Sequence, residues 1–248
     1  MTNPVRYDSA GKLGILSWPA NQLTEGERTM TQATGNGSGL EFDRQVENLI
    51  NLEYPKLAGL APEQFNALVA PPRELATTVR ASRYDPEAGQ VPFVLVVARH
   101  VVPIERTMPR TTLHGKRKPG FVDKSFEPGA LERFVTVKQA ENANQRVYLL
   151  FDVERGEEFC GSVPVDATEI IAARGRTLLT IEEGIALITH FPELLVKNKC
   201  FSLAGSRSAD RRVPAIWISQ NAPKLGWCWE RNPHTWLGMA SARHRCPQ

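Results

Sequence analysis

The sequence predicts a single α+β domain whose sheet is mixed or largely antiparallel, with a C-terminal antiparallel meander and helices packed on it. Three observations carry this. Apolar β-branched strings and helical patterns arrive in segregated runs, not in strict βαβ alternation. The last third breaks into short apolar strings joined by turn residues, which suits antiparallel neighbours. Four of the five tryptophans, Trp217, Trp227, Trp229 and Trp236, fall in that third. Tryptophan brings a large area and an N–H that needs a partner, so such a cluster marks a core or a binding surface.

Taken along the chain, residues 1–39 read as a disordered tail. MTQATGNGSG (30–39) has no periodic apolar face to offset the entropy of ordering it. Met30 offers an alternative start of translation. From Leu40 the pattern turns helical: Leu40, Val46, Leu49, Ile50 and Tyr54 share one face, and Pro55 stops the run. PEQFNALVA (62–70) predicts a second helix with Pro62 in its first turn, closed by Pro71 and Pro72. VPFVLVVA (91–98) and RVYLLFDV (146–153) read as buried strands. Between them lies a basic loop punctuated by Pro and Gly, ERTMPRTTLHGKRKPGFVD (105–123).

DATEIIAARG (166–175) predicts a helix with Asp166 as N-cap and Gly175 as its stop. Thr180 and Glu183 form a capping box that opens IEEGIALITH (181–190), ended by Phe191-Pro192. KCFSLAG, VPAIWIS, KLGWCWE and HTWLGMAS then predict four short strands, and residues 242–248 a frayed end. The domain is therefore expected over 40–241.

Of the 248 residues 42% are hydrophobic and 23% charged, enough for a sizeable core. No apolar run approaches the roughly 20 residues that span a bilayer, and the N-terminus has no secretory apolar segment, so the expected location is cytoplasmic. Free thiols are expected at Cys160, Cys200, Cys228 and Cys246. The formal charge of +3 is unevenly spread. Residues 126–194 carry 6 basic and 12 acidic groups, whereas 195–248 carry 9 and 2. That asymmetry suits an anionic ligand, nucleic acid, or two parts of one fold that attract each other; in an interaction module the basic loops would meet an acidic protein partner.

Four groups are candidates for chemistry. Cys228 lies between Trp227 and Trp229 on a strand, so it faces away from both, and His234 follows across a turn; a Cys/His pair is a nucleophile and its base. Asp152 and Glu154 share a strand face and supply paired carboxylates for acid and base roles. The segment Gly205 to Arg212 sets Arg207, Arg211 and Arg212 among hydroxyls between two strands, a pattern that binds carboxylate or phosphate. Arg174 and Arg176, at a helix end, are further anion contacts, although cations there also complement the helix dipole. The loop cations Arg106, Arg110, Lys116, Arg117 and Lys118 lack the interleaved aromatics of a nucleic-acid surface, so nucleic acid is not the expected partner. No metal site is expected: Cys160, Cys200, Cys228, His190 and His234 show no paired spacing. No phosphate-binding GxxxxGK[ST] loop is present, and the sequence names no cofactor.

The leading reading is a binding protein or enzyme for a small anionic ligand, with Arg207, Arg211 and Arg212 holding the anion and Trp217, Trp227, Trp229 and Trp236 covering its apolar part. Asp152, Glu154, Cys228 or His234 would carry any chemistry. The alternative is a non-enzymatic interaction module in which the tryptophans are core or interface.

FDVERGEEF (151–159), ARGRTLLTIEEGIALITH (173–190), NKCFSLAGSRSADRRVPAIWIS (198–219) and PKLGWCWERNPHTWLG (223–238) together resemble an uncharacterised actinobacterial family known only as a domain of unknown function. The similarity takes in FDRQVENLINLEYPKLAGL and VPFVLVVARH and runs from about residue 40 to 241. It implies an actinobacterial origin and one family-wide domain, and leaves 1–39 outside. It brings no activity, cofactor or site residue.

Overall fold

Two eight-residue strands form the long ladder of the first sheet: β1 (Gln90–Val97), at its edge, and β4 (Val147–Glu154), paired antiparallel. The computed structural model describes residues 25–79, 84–137 and 145–246, with side chains from residue 37 onward. Both strands are near-continuous apolar runs because both faces of the ladder are covered. Phe93, Leu95, Val97, Val147, Leu149 and Phe151 pack with Phe42, Leu49, Tyr54 and Phe65 of the N-terminal helices. Val94, Val96, Tyr148 and Leu150 belong to a second core, shared with the rest of the chain. A half-solvated antiparallel strand would instead alternate apolar with polar.

The N-terminal layer is α1 (Glu25–Asn51), α2 (Tyr54–Ala58), α3 (Pro62–Val69) and α4 (Arg73–Thr77). Helix α1 therefore starts upstream of Leu40, where the apolar pattern begins. It ends before Pro55, which opens α2 in a first-turn position that needs no N–H. The described residues from 34 onward form one compact unit. The tail expected over 1–39 lies outside the described residues as far as residue 24.

The basic loop holds α5 (Ile104–Thr107), a short 3-10 turn and β2 (Phe121–Val122). Three of its five cations are tied down: Arg106 donates to the Leu57 carbonyl (2.8 Å), Arg110 pairs with Glu53 (2.8 Å) and Lys118 donates to the Gln220 carbonyl (2.6 Å). Strand β3 (Val135–Thr136) leads towards β4. Helix α6 (Pro164–Ala173) then begins two residues before the expected start, with Pro164 in the first turn and Asp166 inside it instead of at the cap. Gly175 ends this region as expected, at φ 67°. After β5 (Thr177–Leu178), α7 (Ile181–His190) opens on the expected box: Thr180 N donates to Glu183 Oε2 (2.7 Å), and Glu183 N donates to Thr180 Oγ1 (3.4 Å).

The second sheet contains the meander. Strands β6 (Cys200–Ser202), β8 (Arg212–Ser219) and β9 (Ala222–Trp229) are antiparallel neighbours, and β7 (Ser206–Arg207) pairs separately with β3. Strand β10 (Leu237–Met239) does not continue the meander; it crosses to lie parallel to β6, and β2 lies parallel to β9 at the other end. The sheet is therefore mixed. Gln220 and Asn221, at φ 52° and 58°, make the two-residue turn between β8 and β9; positive φ at both positions matches the right-handed twist of the strands.

The C-terminus departs from expectation. Residues 242–248 were expected to fray, yet β11 (Ser241–Ala242) and β12 (His244–Cys246) both add to β4. Arg245 is the cause. It forks onto the buried Glu183 (Nε–Oε1 2.5 Å, Nη2–Oε2 2.7 Å) and also donates to Thr177 Oγ1 and the Leu178 carbonyl. A wholly buried carboxylate needs such a partner, and this one comes from the last few residues of the chain.

Candidate functional site

The segment 205–212 does not converge on a ligand. Arg212 pairs with Asp210 (2.5 Å) and lies over the Phe134 and Trp227 rings at 5.5 and 5.2 Å. Those contacts, led by the Arg212 hydrogen bond, hold the Asp210 carboxyl well below the usual carboxylate range. Arg211 is 73% exposed, with Glu230 3.8 Å away. Arg207 is half-buried and gives its Nη2 to Glu230.

Register separates the tryptophans. Trp229 is opposite Arg212 and Trp227 opposite Pro214, so these two share a face with Arg212, their rings 4.9 Å apart and edge-on. Trp217 is opposite Lys224 on the reverse face, where Lys224 caps its ring at 5.0 Å and Trp236 meets it edge-on at 5.9 Å. Gly226 is required here, because a Cβ would run into the Trp217 ring. The four indoles therefore do not line one pocket with the three arginines.

Cys228 and His234 each have partners of their own. The Cys228 thiol is buried, which pushes its pKa up, and it hydrogen-bonds Ser202. His234 packs against Trp236 with ring centroids 5.2 Å apart. A protonated, enclosed thiol is a structural one.

Asp152 and Glu154 do come together, but on a cation. Arg176 is nearly buried between them, 3.0 Å from Asp152 Oδ2 and 3.4 Å from Glu154 Oε2. It also donates from Nε to Ser241 Oγ (2.9 Å) and from Nη2 to the Asp152 carbonyl (2.6 Å). Arg243 reaches Asp152 from outside at 3.0 Å. Burial raises the Glu154 carboxyl despite the neighbouring Arg176. Asp152 holds φ 51°, a conformation an L-residue keeps only where its surroundings over-determine it, and three contacts to Arg176 and Arg243 do so here.

What the fold assembles is a different cavity, of about 260 Å3, lined by Val137, Thr168, Ala172, Thr177, Leu178 and Ala204 together with Arg176 and Arg207. Helix α6 supplies Thr168 and Ala172, β5 supplies Leu178, and β7 supplies Arg207. The guanidinium of Arg176 is fully engaged below. Arg207 keeps Nε and Nη1 without a partner among the described residues. The cavity therefore presents aliphatic walls and one adaptable guanidinium. The sequence singled out Arg207 and weighed Arg176, but the walls left no signal, because Leu178 and Ala204 read as ordinary core residues and Ala172 as an ordinary exposed helix position. Arg174, also weighed, pairs with Glu158 instead (2.6 Å).

No described helix is long and apolar enough to cross a membrane. Residues 48–248 match the model of a family described as a family of unknown function, DUF5701. Searches of curated proteins and of solved structures find no match.

Proposed function

Because the chain belongs to DUF5701, whose description supplies no activity, we propose its function from the cavity alone: it binds a small anion with an aliphatic body. The single observation behind this is Arg207 on a mostly apolar cavity of about 260 Å3. A guanidinium matches a carboxylate bidentately, and walls without aromatic rings favour a short acyl chain over a stacked base. Glu230 holds Arg207 through Nη2, and both bidentate faces of a guanidinium include that nitrogen, so an incoming carboxylate shares Nη2 with Glu230 or displaces it. A cytoplasmic setting accords with four free cysteines. Neither Cys228 nor the Asp152/Glu154 pair faces a partner that would make it reactive, so the reading is a binding protein with no assigned chemical step.

The test is calorimetric titration of the full chain with straight-chain carboxylates from butyrate to octanoate. Saturable binding that Arg207→Leu abolishes with the fold intact supports the reading; so does loss on Ala172→Leu, which fills the cavity from its wall. Absence of binding across the series sinks it. The interaction-module alternative then becomes the one to pursue, at Trp229, which is 48% exposed, and its neighbour Arg211.

A further inference from the structure

A second cavity, of about 290 Å3, shares no lining residue with the first. Arg99, Glu182, Glu132, His100 and Thr136 supply its polar groups, with Gln145 and Thr180, and Tyr148 and Phe134 also line it. Of these residues only Thr180, as a helix cap, stood out in the sequence. We propose that this cavity binds a small neutral polyol, a monosaccharide or a cyclitol.

Three exclusions and one positive match lead there. An anion is disfavoured, because two carboxylates line the cavity and the N–H groups at the start of α7 are already spent. Ile181 N donates to Ser206 Oγ (3.0 Å), and Glu183 N to Thr180 Oγ1. A cation is disfavoured, because Arg99 is among the lining groups and already neutralises Glu182, Nη2 to Oε2 at 2.5 Å. An apolar ligand would strand the polar lining, each unmatched group costing about 1–3 kcal/mol.

The positive match is pre-organisation. Arg99 is fixed by Glu182, by the Phe134 carbonyl (2.9 Å) and by Ser206 Oγ (3.3 Å). Tyr148 is fixed by donating to Glu183 (2.9 Å). Both Arg99 donors to Glu182 use Oε2, so Oε1 is left to accept. The side chains of Glu132, His100 and Thr136 carry no ion pair or hydrogen bond among the described residues. A carboxylate oxygen accepts strongly from a hydroxyl, and adjacent hydroxyls suit a rim that offers several acceptors beside an imidazole and a hydroxyl. The volume is at the lower end of small-molecule sites and fits one ring.

The experiment is calorimetric titration of the full chain with D-glucose, D-ribose and myo-inositol separately, which also distinguishes sugar from cyclitol. A saturable isotherm with a dissociation constant of about 1 mM or tighter is expected for at least one of them. His100→Ala and Glu132→Gln, both at exposed positions, should each weaken it about five-fold or more while the melting temperature stays put. Arg207→Leu should leave it unchanged, so failure of the anion site and failure of this one are told apart. No saturable heat at about 50 mM of any probe overturns the proposal. So does an isotherm indifferent to both substitutions, or one that spermidine or butyrate displaces.

Discussion

At the residue scale, two buried ionisable groups show opposite ways of being accommodated. Glu183 is 0% exposed and Arg245 6%, and each finds nearly all its hydrogen bonds within the pair and its immediate neighbours. Arg245→Met removes the partner and leaves the carboxylate buried alone, which should cost about 3–5 kcal/mol in urea unfolding. The double variant Arg245→Met with Glu183→Leu should recover a large part of that, and failure to recover would mean the pair is intrinsically stabilising. His190 is accommodated by staying neutral. Burial, reinforced by Arg44 and partly offset by the bond to the Leu95 carbonyl, lowers its pKa to about 3. Its Nε2 lies 3.0 Å from that carbonyl and its Nδ1 3.4 Å from Asn48 Nδ2, so Nε2 carries the proton. Between about pH 6.5 and pH 3 the unfolded chain takes up a proton that the folded chain refuses, so stability falls as pH falls through that window. The loss from this group between pH 7 and pH 5 should be about 2 kcal/mol. Glu154, raised by burial, works in the opposite sense. Comparing urea midpoints of the parent and His190→Gln at the two pH values checks this; equal slopes would refute it.

At the element scale, turns and caps explain where the chain changes direction. The capping box at Thr180 was legible because its residues are local, three positions apart. The β8–β9 turn was legible as a turn but not as one with two left-handed residues, of which Gln220 is poorly suited to φ 52°. Gln220→Asn places a residue that tolerates this conformation and should raise stability by about 0.5 kcal/mol, roughly 1–2 °C in melting temperature. An unchanged or lower melting temperature would count against a two-residue turn of this kind. Strand β12 was illegible for the converse reason. His244-Arg245-Cys246 has no apolar alternation, and what orders it is a carboxylate 62 residues earlier in the chain.

At the scale of the whole molecule, the β1–β4 ladder belongs to both cores. Phe93 and Leu149 serve one and Val94 and Leu150 the other, so neither core survives if the ladder opens. Unfolding from residue 34 onward should therefore be a single transition. Far-ultraviolet circular dichroism, dominated by helices on both sides, and the fluorescence of the tryptophans clustered between 217 and 236 should give superimposable urea curves. An indole signal lost before the helical one would show that the meander folds independently.

What the sequence by itself determined was the class of the fold, its four eight-residue strands and the start of α7. These rest on periodicity and on contacts a few residues apart, which the chain states directly. Only the tertiary structure decided that the tryptophans part onto two faces of one hairpin and that Asp152 and Glu154 serve Arg176. It also placed Arg207 above an aliphatic cavity and Arg99 with Glu182 beside a polar one. Those outcomes depend on strand register and on partners tens of residues away. A cavity is a property of the space between elements, which no single element carries in its own sequence.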